Sequence, residues 1–198
     1  METNPSYLPI QLFRAFSDSD PSGPWNDMAV ATAKLIQGSS PKGIVPDWIV
    51  YDEDQGFISD PDHGRKGSYD AIRTYLWIGL LSDEEPLKKA LVKNLAFDCK
   101  GKCWPPVFSN TQTGERYGHG SAGFSAAVIP WLHAKGNQQC QQRQVKRVTS
   151  TPSSGERTST QANYYDENLK LFALNWQDNK MKFSKSGHLQ LAWETPCQ

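Results

Sequence analysis

The run KGSYDAIRTYLWIG, Lys66 to Gly79, sets a carboxylate, Asp70, one helical turn ahead of a guanidinium, Arg73. Residues three apart on a helix are neighbours, and a cation beside a carboxylate favours its ionised form. Ser68 is a natural N-cap, which puts Asp70 in the first turn, where the helix dipole acts the same way. A carboxylate held ionised at neutral pH suits a general base, which must accept a proton, and not a general acid, which must hold one. At about 100° per residue, Ile72, Tyr75, Leu76, Gly79 and Leu80 form one apolar face, and Asp70, Arg73, Thr74 and Trp77 fall opposite. The plain alternative is that Asp70 caps a dipole, Arg73 pairs with it and Trp77 fills an interhelix gap. Spacing alone leaves both readings open.

Other chemistry-bearing residues are scattered. The four cysteines are Cys99, Cys103, Cys140 and Cys197, and the four histidines are His63, His119, His133 and His188. Cys99 and Cys103 are spaced for a local disulfide, but the set lacks metal-ligand spacing, so neither a metal nor another cofactor is expected. The cysteines alone do not decide the redox compartment. Asp60, Asp62 and His63 suggest a metal less readily than a solvated loop, and Asp52-Glu53-Asp54 read as charges on a hairpin tip and Glu84-Glu85 as helix-cap charges. The 21 basic and 21 acidic residues balance, so nothing marks a nucleic-acid groove. No apolar run is long enough to insert into a membrane, and Met1-Glu2-Thr3 opens no secretory signal. Seven Trp and seven Tyr in a polar chain imply either a ring-rich core or an aromatic cleft.

The elements that must position these residues are mostly helical. At 198 residues a single domain over 1–198 is expected. SYLPIQLFRAF carries Leu8, Leu12, Phe13 and Phe16 at helical spacing. WNDMAVATAKLIQ repeats the pattern, with Gly38 as a stop. GIVPDWIVYDEDQGFIS alternates like a short hairpin. The Asp70 helix and PLKKALVKNLAFD follow. Gly123 to Ala134 reads as helix, with Pro130 as a kink or as its true start. NQQCQQRQVKRV is a polar helix, TSTPSSGERTSTQ a mobile loop, and ANYYDENLKLFALNWQD another helix. KFSKSGHLQLAW closes as a hairpin turning at Ser186-Gly187. The sum is a mainly α chain of about six helices with little sheet.

Two stretches, NPSYLP at 4–9 and GSYDAIRTYLW at 67–77, together resemble glycoside hydrolase family 8. PKGIVPDWIVY, GFSAAVIPWL and NYYDENLKLFALNW support the resemblance in the same order. It implies a partial (α/α)6 toroid, its C-terminal helix pairs joined by short β-hairpins. The implied activity is an endo-β-1,4-glucanase (cellulase) that hydrolyses cellulose-type β-1,4-glucan with inversion. By resemblance Asp70 is the general base and Arg73 helps hold it and the water. Tyr7 and Tyr69 line the cleft near the cleaved sugar, Trp77 is a further sugar contact, and one of Tyr164 and Tyr165 matches a cleft tyrosine. The full protein is periplasmic or secreted by the same resemblance.

An inverting glycosidase needs a second carboxyl, an acid roughly 6.5–9.5 Å from the base across the bond being cut. The family's proton-donating glutamate lies in a Glu-Gly motif ahead of NPSY, and no Glu-Gly pair occurs in this chain. The chain thus reads as the C-terminal portion of a family member. Glu115, in Gly114-Glu115-Arg116-Tyr117-Gly118, is a poor substitute, because it follows the base and sits in a polar loop. Half a toroid leaves apolar helix faces uncovered, so the expected partners are a separately made N-terminal half or a second copy, besides the glucan. Two other functions stay open: a noncatalytic β-glucan-binding remnant, and a helical scaffold fragment without a sugar role.

Overall fold

The computed structural model describes residues 1–97, 99, 101, 103–150 and 160–194. Cys197 lies outside them, as does most of the stretch expected to be a mobile loop. The ends of that stretch are helical, Thr149-Ser150 closing one helix and Thr160-Gln161 opening the next.

Seven α-helices run through the described residues: α1 Ile10–Ser19, α2 Trp25–Ser39, α3 Ala71–Leu80, α4 Lys88–Asn94, α5 Ala122–Ala134, α6 Gln138–Ser150 and α7 Thr160–Gln177. Three small antiparallel sheets fill the connections. β1 Glu2–Thr3 pairs with β2 Ile49–Asp52, which pairs with β3 Gly56–Ser59. β4 Lys66–Gly67, β5 Phe108–Asn110 and β6 Arg116–Tyr117 form the second sheet in that order. β7 Met181–Phe183 and β8 Leu189–Leu191 form the third, joined by a turn in which Gly187 has φ 79°.

α5 is the axis of the core. Every residue from Ala122 to Leu132 is buried, because the sequence is apolar on all sides and has no face to give to water. α3, α6 and α7 pack around it. Ser121 caps it, its hydroxyl accepting from Phe124 N at 3.4 Å. Pro130 sits inside this helix and does not start it. α3 crosses α5 there at Gly79, where a side chain would meet Pro130 Cβ at 2.6 Å and fall within bonding range of Trp131 N.

The buried faces differ from the expected ones in three places. On α1, Ile10, Gln11 and Phe13 point inward while Leu12 and Phe16 are exposed. Apolar residues stood on both sides of that helix, and packing chose the other set. On α3, Thr74 is 1% exposed, so only Arg73 and Trp77 of its outer side stay partly open. α2 runs through Gly38 to Ser39, because Gly38 lies against the Phe57 ring, which a side chain there would strike. The polar α6 buries one stripe, Cys140, Gln141, Gln144 and Val148, at the four-residue spacing of a single face.

Candidate active site

The start of α3 is built from a distance. Gly67 passes so close to the Val45 carbonyl that no side chain would fit there. Asp47, buried beside it, accepts hydrogen bonds from Ser68 N at 2.7 Å, Ser68 Oγ at 2.5 Å and Ala71 N at 2.8 Å. The cap of α3 is therefore Asp47 and not Ser68, whose hydroxyl is spent on Asp47. Asp70 stands at the junction itself, in helical conformation, and its carboxylate makes no capping bond to its own helix.

That leaves the Asp70 carboxylate free for two other donors. Asn4 Nδ2 donates to Oδ2 at 3.0 Å, and Arg73 Nη2 donates to Oδ1. Arg73 is fixed in turn by Ser6 Oγ, at 2.9 Å from Nη2. Ser6 is fixed by Asn4, whose Oδ1 accepts from Ser6 N at 3.0 Å and Ser6 Oγ at 2.8 Å. Asn4, Ser6, Asp70 and Arg73 thus form a closed ring of hydrogen bonds between the amino-terminal 3₁₀ turn, Pro5–Tyr7, and α3. The Asp70 side chain keeps 26% of its surface exposed, so it can reach water while its orientation is set.

Aromatic rings surround this carboxylate. The Arg73 guanidinium lies 5.4 Å from the centre of the Tyr7 ring. Tyr7 meets Trp48 edge-on, and Trp48 stacks on His63 with centroids 5.1 Å apart. Trp48, Asp62, His63, Lys66, Tyr69 and Asp70 line one open groove. On its other flank Tyr69 touches Phe124 and Tyr165 edge-on, and the Tyr165 hydroxyl donates to the Tyr69 carbonyl. Burial pushes the Tyr165 phenol up; Arg73 pulls it down, and the charges of Asp70, Asp166 and Asp47 push it further up, so it stays protonated well into the alkaline range. Tyr164, one residue earlier, is 75% exposed; among the described residues it shares no ring contact with this group. Trp77 stands behind the ring, its Nε1 donating to Ser6 O at 3.1 Å and its rings against Phe172.

The remaining acids separate. Asp52 Oδ1 accepts from Asp54 N and Gln55 N at the hairpin tip, as expected. Glu85 is not a solvated cap charge: it is 4% exposed, pairs with Arg14 at 2.8 Å and also accepts from Leu87 N. Nor is Asp60 solvated. At 3% exposure it accepts from Asp62 N, His63 N and His63 Nδ1. Glu115 is bonded to Thr113 and Tyr117 in the exposed β5–β6 turn. Among the described residues, two groups of side chains have metal-ligand types close together, Cys99-Cys103-Cys140 and Glu2-Asp60-His63.

Asn4, Ser6, Asp47, Trp48 and His63 are the participants that sequence reasoning missed. Asn4 left a signal, since Asn-Pro-Ser is the composition of an Asx turn. Asp47 left none, because its partners lie 21 and 24 residues away.

Residues 1–179 match the profile of the family described as Glycosyl hydrolases family 8. The chain is 38% identical over 197 residues to an endoglucanase of Xanthomonas axonopodis pv. citri, covering 98% of this chain and 50% of that protein. An endoglucanase of Escherichia coli K12 is 32% identical over the same length, again covering 98% and 50%. The chain spans about half the length of the curated relatives it matches. The crystal structure of an endo-1,4-D-glucanase from Vibrio fischeri ES114 superposes with a TM-score of 0.79 at 29% identity, covering 98% of this chain and 55% of that one. The endo-beta-1,4-glucanase CMCax of Acetobacter xylinum shares the fold, with a TM-score of 0.62 at 19% identity over 90% of this chain and 52% of that one.

Proposed function

The chain belongs to glycosyl hydrolase family 8, and on that premise we propose that it is the base-bearing portion of an inverting endo-β-1,4-glucanase. Its helices form part of an (α/α)6 barrel, and residues 1–198 act as one domain within it. The carrying observation is Asp70 itself, a carboxylate held by Arg73 and Asn4, one quarter open, at the wall of an aromatic groove.

In this reading a water molecule sits on the open side of Asp70. Asp70 takes one of its protons as the water oxygen attacks the anomeric carbon, and an acid on the opposite face protonates the departing glycosidic oxygen. The anomeric centre inverts because attack and departure are on opposite faces. Arg73 and Asn4 keep the carboxylate aimed, and Ser6 keeps both of them in place. Tyr69 and Tyr7 offer ring faces to glucose, whose axial C–H surface packs on aromatic rings. Tyr165 holds the Tyr69 backbone, and Trp77 braces the Asn4–Ser6 turn from behind. The acid is a glutamate supplied from outside this sequence, by an N-terminal half. No helix here is long and apolar enough to cross a membrane, and a periplasmic or secreted site of action belongs to the same proposal.

The half-length coverage of the relatives favours one second reading, a β-glucan-binding portion that is not catalytic by itself. Reducing-end release from carboxymethylcellulose, with this chain alone and mixed with a separately made N-terminal half of a relative, tests both. Release in the mixture that drops about 10²–10⁴-fold in Asp70→Asn supports the base assignment. Equal release by Asp70→Asn and the unaltered chain would overturn it. Cellohexaose binding without any release selects the second reading.

A further inference from the structure

Three of the four cysteines meet where the segment between α4 and β5 lies against α6. Cys99 and Cys103 lie in the segment between α4 and β5, and Cys140 is in the first turn of α6. Cys103 Sγ is 2.9 Å from Cys140 Sγ, and Cys99 stands within disulfide-bonding reach of both. A sulfur makes one disulfide at a time, so either pairing of Cys99 leaves a third sulfur against the bond. The Cα separations rank the pairings. Cys99–Cys140 spans 6.0 Å, a common disulfide value, whereas Cys99–Cys103 spans 4.2 Å, just under the usual range. Cys103 and Cys140 are 2% and 1% exposed, so the third sulfur is sheltered from outside reagents. Gln144 Nε2 donates to the Cys103 carbonyl and lies 3.2 Å from its sulfur. That amide ties Cys103, which has a left-handed backbone conformation with φ 60°, to α6.

We propose that this cluster is an internal thiol–disulfide exchange site, with Cys99–Cys140 as the resting bridge and Cys103 as the exchanging nucleophile. The Cys103 thiolate attacks Cys99 Sγ, the Cys99–Cys140 bond breaks, and Cys140 leaves as a thiolate that takes up the proton Cys103 gave up. Sulfur oxidation states balance, so exchange needs no oxidant. Making the first bridge removes two electrons and two protons from two thiols, and the acceptor is an exogenous disulfide that is itself reduced to two thiols.

Exchange changes what the bond does. The Cys99–Cys140 bridge joins residues 41 apart and ties the segment leading into β5 to α6. The Cys99–Cys103 bond joins residues 4 apart and ties nothing to α6. β5 pairs with β4 through Lys66–Asn110 and Gly67–Ser109, and β4 leads directly into Ser68 and Asp70. The exchange therefore loosens or fastens the segment that supports the floor of the groove.

Trypsin separates the three cysteines, because Lys100, Lys102, Lys135 and Arg143 put each on its own peptide. The full chain is held at pH 5 or pH 9, quenched in acid, unfolded in mildly acidic guanidinium chloride with N-ethylmaleimide present, digested and mapped without reduction. The expected result is both Cys99–Cys140 and Cys99–Cys103 linked peptides, equilibrating at pH 9 and frozen at pH 5. Cys103→Ser should hold only the Cys99–Cys140 link, Cys140→Ser only the local one, and the first should melt roughly 4–8 °C higher. One linkage, unchanged between the two pH values and in Cys103→Ser, overturns the proposal. So does a chain isolated with all three thiols reduced around a stoichiometric metal ion.

Discussion

Asp70 is aimed by residues that do not neighbour it in sequence. Asp47 takes the amides at the head of α3, which leaves the Asp70 carboxylate to Asn4 and Arg73. Asp47→Ala strips three charge-assisted bonds and leaves Ser68 N and Ala71 N buried without acceptors. A loss of about 3 kcal/mol in urea unfolding is expected, together with weaker binding in the groove. An unchanged midpoint would show that α3 caps itself. A second residue-scale prediction concerns alkali. Burial raises the Tyr75 phenol far above its ordinary value, with small opposing effects from a backbone bond and Arg116, and its hydroxyl reaches Gly43 O at 3.0 Å. The folded chain thus keeps a proton that the unfolded chain gives up near pH 10. The contribution is whole below pH 10 and declines as pH rises beyond it. Melting temperature should fall above pH 10, and less steeply in Tyr75→Phe, which starts about 1 kcal/mol lower at neutral pH. At this scale the sequence showed local pairs well: Asp70 and Arg73 stood one turn apart and they do pair. It hid Asp47, whose role depends on where a sheet brings it.

At the scale of elements, the crossing of α3 and α5 is set by the absence of a side chain at Gly79. Gly79→Ala forces a methyl group against Pro130 and the Trp131 backbone. Helix propensity favours alanine by about 1 kcal/mol, but overpacking of a backbone contact costs more, about 1–3 kcal/mol. Net destabilisation is expected in thermal unfolding; a stabilised variant would mean that the helices can separate without cost. Most elements were legible because apolar stripes and turn residues mark them, as with the β2–β3 and β7–β8 hairpins. α1 was legible as a helix but not in its facing, since Leu12 and Phe16 match a buried stripe as well as Ile10 and Phe13 do. Periodicity says that a helix has an apolar side. It does not choose between two such sides, because the partner surface makes that choice.

At the scale of the whole molecule, several large apolar groups remain on the outside. Leu12 and Phe16 share one side of α1 at 44% exposure each, and Leu171 on α7 is 57% exposed. Part of a helical barrel is expected to leave apolar surface for a partner. Sedimentation velocity across a concentration series should show self-association that a Leu12→Lys, Leu171→Lys pair suppresses. A monomer at every concentration with a single sharp melt would count against it. The chain also closes on itself: the Gly187 turn of the last hairpin lies on α1, where a side chain would meet Ala15 N at 2.7 Å, and His188 Nε2 reaches Asp18 at 2.8 Å. That contact joins residues 170 apart. On the ribosome α1 emerges some 170 residues ahead of the strands that cover its flank. At about 5–20 residues per second, α1 waits on the order of ten seconds for its cover. During synthesis, then, this flank of α1 stays open to solvent until the hairpin arrives to cover it.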